Sequence, residues 1–206
     1  MKKIIPSLIA TSQKELDLRF NKVKKHFKIF HLDIMDGKFV KNKSLMFPWV
    51  LPKRKKYIAH LMVKNPKKWI KESHKKSNLI IFHIESIKSD SKVKEIINLI
   101  KSKRKKVGIA INPKTNTKKI IPYLGIIDRV LIMSVNPGKY GAKFIPSTLK
   151  KVRVLKKLKK SLKVGIDGGI NEKTMASASD SGANYFVSGS YLQKSKDVRK
   201  AIGKLK

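Results

Sequence analysis

Residues 79–111 read LIIFHIESIKSDSKVKEIINLIKSKRKKVGIAI and hold one complete unit of the pattern that decides the fold. The run Leu79–Ile84 is short enough for a strand and lacks polar alternation, as expected where a strand is covered on both faces. Val93, Ile96, Ile97 and Ile100 then fall at i, i+3, i+4 and i+7, a single helical stripe, while Lys94, Glu95, Asn98 and Lys101 point elsewhere. Val107–Ile111 begins the next apolar run.

The unit recurs along the chain. Further strand candidates lie at Ile4–Ala10, Ile29–Met35, Tyr57–Val63, Val130–Val135, Val164–Ile166 and Tyr185–Val187, giving eight in all. Helical spacing returns at Leu16, Phe20, Val23 and Phe27, and again at Leu149, Val152, Leu155 and Leu158. Seven of the eight runs are followed by a helix candidate; the exception is the irregular Lys41–Lys56, with Pro48 and Pro52. Eight successive βα units predict a parallel sheet closed into a (β/α)8 TIM barrel, one domain over residues 1–206. A doubly wound open sheet is the competing arrangement. In a barrel the chemistry sits at the C-terminal strand ends, so ionisable groups late in a strand become candidates.

Composition narrows the function classes. With no Cys among 206 residues, disulfide frameworks, thiolate metal sites and cysteine nucleophiles are excluded. No apolar run approaches the roughly 18–20 residues of a membrane helix. Met1–Ala10 has a basic start and an apolar run, but Pro6 interrupts it and a polar helical segment follows, so a soluble cytoplasmic protein is expected rather than a signal peptide. The 50 Lys+Arg against 13 Asp+Glu leave +37, enough to attract anions at low salt. The lysines are spread over helix faces and accompany no zinc-finger or RNP-like pattern. Specific nucleic-acid binding is therefore not expected, although weak nonspecific binding is compatible with the charge. A nucleic-acid-binding barrel remains a remote alternative.

Three of the five histidines, His31, His60 and His83, stand on successive strand candidates. In HLDIMDG (31–37), His31 and Asp33 are two apart and share one side of the strand. His60 can join them from the next strand, and Asp167 ends the seventh strand, on the far side of the ring. Two His and two Asp suit a divalent Zn, Fe, Mn or Co ion, and suit equally a hydrogen-bonded interior network without metal. Two carboxylates approaching one carbon from opposite sides can remove a proton and return another to the opposite face, which inverts a stereocentre without a redox cofactor. Glycine loops after the last three strands, NPGKYG (136–141), GGIN (168–171) and SGS (188–190), suit a phosphate.

Taken together, IIPSLIATS, HLDIMDGKFV, AHLMVKNP, IIFHIES, KVGIAINPKT, IMSVNPGKYGAKFIPSTLKKV, VGIDGGI and SGANYFVSGS resemble the ribulose-phosphate 3-epimerase family through nearly the whole chain and in the same order. The resemblance implies interconversion of D-ribulose 5-phosphate and D-xylulose 5-phosphate, in the pentose phosphate pathway, with one divalent metal per subunit. D-allulose-6-phosphate 3-epimerase is the nearest alternative. It implies His31, Asp33, His60 and Asp167 as metal ligands, with Asp33 and Asp167 as proton acceptor and donor. It implies substrate contacts at Ser7, His60, Met35, Met62 and Met133, and phosphate contacts at Gly138, Gly141, Gly168, Gly169, Gly189 and Ser190. His83 matches the family's fourth-strand motif and is given no metal role. A homo-oligomer is implied too, though +37 per chain opposes association unless the contacts are apolar or anions bind. The chain departs from the family where Lys139, Tyr140 and Ala142 replace Phe, Gly and Gln, and where Lys38 and Lys41 replace His and Pro. Tyr140 in place of Gly is expected to constrain closure of the sixth-strand loop.

Overall fold

Residues 2–138 and 141–206 are described by the structure, a computed structural model. Its barrel strands are β1 (Lys3–Leu8), β2 (Ile29–Asp36), β3 (Lys56–Met62), β4 (Leu79–His83), β5 (Lys106–Ile111), β6 (Arg129–Met133), β7 (Lys163–Asp167) and β8 (Tyr185–Ser188). Each pairs in parallel with its neighbours, and β1 pairs with both β2 and β8, so the sheet is closed and the open arrangement is excluded. A two-residue antiparallel strand, Lys43–Ser44, adds to the end of β2. The helices are α1 (Gln13–Val23), α2 (Pro66–Ser73), α3 (Asp90–Ser102), α4 (Leu149–Leu158), α5 (Met175–Asp180), α6 (Ser190–Lys194) and α7 (Val198–Lys204). The architecture is a single-domain (β/α)8 barrel. None of its described helices is long and apolar enough to cross a membrane.

Strand alternation sorts the side chains into two cores. On β2, Phe30, Leu32 and Ile34 face outward and are fully buried under helices, whereas His31, Asp33 and Met35 face the interior. The outer core takes the stripes of α1 (Leu16, Phe20, Val23) and α3 (Val93, Ile96, Ile97, Ile100), as their spacing predicts. Full burial of each such side chain contributes roughly 1.5–3 kcal/mol. Helix starts are set locally: Ser12, Asn65, Ser89 and Asp197 accept hydrogen bonds from backbone N–H groups three residues on.

The interior is filled from below by Ile5, Ile58, Leu79, Ile81, Leu131 and Tyr185. Tyr185 fits only because residue 165 is glycine: a Cβ there would lie 2.1 Å from the ring's Cζ. Gly165→Ala is expected to destabilise the fold by about 1–3 kcal/mol through overpacking. An unchanged urea midpoint would show that the ring has room to move.

One helix expectation is corrected. After β5 the chain forms two 3-10 turns, Thr117–Lys119 and Ile121–Tyr123, and no α-helix. Pro113, Pro122 and Gly125 punctuate this stretch and deny it a continuous helical ladder. It is held instead by Lys151 of α4, whose Nζ donates to the carbonyls of Asn112, Pro113 and Thr115, and by Lys159, which donates to Leu124 O. Some lysines of the α4 charge run therefore clamp loops rather than merely wetting a face. The irregular stretch after β2 is irregular in the structure, apart from its two-residue strand.

Candidate active site

Register brings the ionisable groups together. Ser7 is the Cα partner of His31, and Asp33 that of His60, so β1, β2 and β3 present these side chains at neighbouring heights. Asp167 arrives at the end of β7, which is held by Ser134: its N–H and hydroxyl both donate to Asp167 O, and the hydroxyl also reaches Gly168 O. In ring order β2 and β7 stand three places apart rather than diametrically opposed. Their carboxylates nevertheless converge on the same imidazoles.

His31 Nε2 lies 3.2 Å from Asp33 Oδ1 and 3.3 Å from Asp167 Oδ2; His60 Nδ1 lies 3.0 and 3.3 Å from the same two oxygens. One ligand atom from each of the four residues lies within 4.8 Å of the others, and all four residues are buried. Despite its short contacts, His31 has neither ring nitrogen in a hydrogen bond of acceptable geometry. An unaligned nitrogen facing two carboxylates is a poor hydrogen-bond network but a good ligand set. Atoms bound to one ion at about 2.0–2.2 Å stand about this far apart from one another. The group is thus able to hold a divalent metal ion.

The charges reinforce one another. Burial alone would lower the His31 pKa, but the negative charges of Asp33 and Asp167 outweigh it and raise it to about 10. Burial pushes both carboxyls upward, yet His31 and His60 hold Asp33 and Asp167 below the ordinary range. Both acids are therefore ionised at neutral pH. Asp36, the last residue of β2, is committed elsewhere: it accepts from the N–H groups of Lys38, Phe39 and Lys64 and ties two loops together.

A cavity of about 440 Å³ opens above this cluster. Its lining includes Ser7, Asp33, Met35, Met62, Met133 and Asp167 on the barrel side and Gly138, Gly141, Gly168, Gly169, Gly189 and Ser190 from the three late loops. His31 and His60 are buried beneath it and do not line it. Gly168 (φ +111°) and Gly169 (φ +66°) carry a turn that side chains would block, since a Cβ at Gly168 would meet Val135 at 2.4 Å. Lys139 and Tyr140 lie outside the described residues, and with them the expectation that Tyr140 constrains that loop. Asn42 and Lys43 also line the cavity, and Asn42 Nδ2 donates to Gly138 O, joining the β2 loop to the β6 loop. Sequence reading passed over both, because they sit in an irregular stretch whose position only the tertiary structure defines.

The family model of the ribulose-phosphate 3 epimerase family matches residues 3–193. The chain belongs to the ribulose-phosphate 3-epimerase family. It is 34% identical over 213 residues to the ribulose-phosphate 3-epimerase of Schizosaccharomyces pombe, covering 99% of this chain and 92% of that one. To the enzyme of the same name from Aquifex aeolicus it is 36% identical, with 86% and 83% covered. Among solved structures, 3-hexulose-6-phosphate synthase from Salmonella typhimurium superposes with a TM-score of 0.70 over 98% of this chain and 96% of that one. At 12% identity it shares the fold only. As a ribulose-phosphate 3-epimerase family member, the chain is an isomerase of the epimerase type.

Proposed function

We propose that the chain interconverts D-ribulose 5-phosphate and D-xylulose 5-phosphate, with Asp33 and Asp167 exchanging protons at C3. The observation that carries this reading is the convergence of two ionised carboxylates on one small cavity, bridged by His31 and His60. For turnover one of the two first takes up a proton from solvent; the ionised one then removes the C3 proton, leaving an enediolate across C2 and C3, and the protonated one delivers its proton to the opposite face. In the reverse direction the two exchange roles.

His31, Asp33, His60 and Asp167 hold one divalent ion in this reading, drawn from Zn, Fe, Mn and Co. When bound, such an ion offsets negative charge developing on the substrate oxygens. Met35, Met62 and Met133 are nearly inaccessible and line the cavity, so they exclude water from the carbanionic carbon. Ser7 contacts the substrate from β1. The Gly168–Gly169 turn, Gly189 and Ser190 offer backbone N–H groups to the phosphate, with Gly141 beside Ser190 and Gly138 lining the same cavity.

The test combines metal analysis of the purified chain with turnover of D-ribulose 5-phosphate, D-allulose 6-phosphate and unphosphorylated D-ribulose. The pentulose phosphate is expected to give the highest kcat/KM. Loss of the phosphate is expected to cost at least about a hundredfold, since remote binding energy is what positions C3. A higher kcat/KM on the hexulose phosphate would assign the chain to that substrate instead.

A further inference from the structure

Behind the cluster lies a second row of polar groups that the reaction above does not use. His60 turns Nδ1 toward the carboxylates and its other nitrogen, Nε2, toward His83 Nε2 at 2.9 Å. The two ring planes are within 22° of each other, with centroids 5.0 Å apart. His83 Nδ1 in turn lies 3.1 Å from Glu85 Oε2. The other oxygen of Glu85 accepts the backbone N–H of Asn112 at 2.8 Å, and the carboxylate is also bonded by Thr115. Both histidines are fully buried, and Phe39 packs against the His83 ring.

Hydrogen accounting along this row has one outcome. Two ring nitrogens at 2.9 Å share a single hydrogen, so one donates and the other accepts. Glu85, ionised and acceptor-only, requires the hydrogen on His83 Nδ1. With an ion on His60 Nδ1, the one hydrogen of that ring stands on Nε2 and points at His83, so His83 Nε2 is the acceptor. His60 Nε2–H is then the donor. The remaining nitrogen of His60, Nδ1, is left to face Asp33 and Asp167.

We propose that Glu85 and His83 are positioning residues, a carboxylate–imidazole relay that fixes the ring orientation and tautomer of His60 so that its Nδ1 serves the metal centre. Neither touches substrate or metal. The proposal rests on the metal-centre reading given above. Outer partners of this kind typically alter metal affinity about 10–100-fold when removed.

The test is Glu85→Gln in the full chain. This change preserves size and the bond to Asn112, but puts an amide N–H2 against His83 Nδ1. His83 must then accept at Nδ1 and carry its hydrogen on Nε2, facing the hydrogen of His60. Zn2+ affinity is measured by competition with a chromophoric chelator, and histidine tautomers by 1H–15N NMR of the zinc-loaded and zinc-free chains. In the parent chain His83 is expected as the Nδ1–H tautomer, uncommon in solution. In Glu85→Gln it is expected as Nε2–H, with zinc held about 10–100-fold more weakly and the thermal midpoint of the zinc-free chain little changed. Zinc affinity within twofold of the parent, or an unchanged His83 tautomer, overturns the relay while leaving the metal centre standing. If the parent binds no zinc, the metal-centre reading fails. The relay, defined by its service to that centre, then falls with it, whatever the tautomers show.

Discussion

Asp167→Asn is expected to cut epimerisation by about 10³-fold or more with the barrel intact, and Asp33→Asn to do the same. The fold should survive because the substitution is isosteric and because Asp167 is held through its backbone, by Ser134, rather than through its carboxylate. The informative measurement is deuterium uptake at C3 in heavy water, with divalent metal in excess to separate proton transfer from weakened ligation. If the two carboxylates address opposite faces, each variant keeps one of them. Exchange should then persist from one epimer in Asp167→Asn and from the other in Asp33→Asn, with interconversion lost in both. Near-normal exchange and conversion in both variants would sink the two-base scheme. The approach of both acids to the same imidazole nitrogens, from strands three places apart, is the geometry that makes this test decisive.

Much of this site was legible because a strand writes its two faces into alternate residues. His31 and Asp33 must share a side wherever β2 is a strand, and Phe30, Leu32 and Ile34 must share the other. The closed ring likewise follows from counting βα units. What was not legible depends on contacts between segments distant in sequence. The helix expected after β5 is replaced by short turns because Lys151, 39 residues from Asn112, supplies the carbonyl partners that a helix would have supplied. Lys43 reaches the cavity because its strand folds back on β2, which no periodicity announces. His83 was visible in the fourth-strand motif, but Glu85 was not singled out, and the connection to His60 exists only across the β3–β4 interface.

The metal-free chain is expected to lose stability as pH rises from neutrality, and the metal-loaded chain is not. The sign comes from His31. In the folded, metal-free chain its pKa is raised from 6.5 to about 10 by Asp33 and Asp167, against the opposing effect of burial. A raised folded-state pKa stabilises fully below the unfolded value and is lost as pH climbs toward the folded one. His60 is shifted in the same direction and adds to the slope. Asp33 and Asp167 are depressed, so their contribution is already complete above the ordinary carboxylate range and is lost only toward acid. Between pH 6.5 and about 9 the His31 contribution alone falls by about 3 kcal/mol, and for a chain of this size the thermal midpoint drops by about 6–12 °C. A divalent ion reverses the requirement, because its imidazole ligands must be neutral and rising pH favours binding. The difference between metal-free and metal-saturated midpoints should therefore widen steadily over that range. Taking the difference also removes the lysine titration common to both forms. In His31→Gln the widening should largely disappear. Parallel curves for the two forms of the parent chain would show that these four side chains do not exchange a proton for a cation.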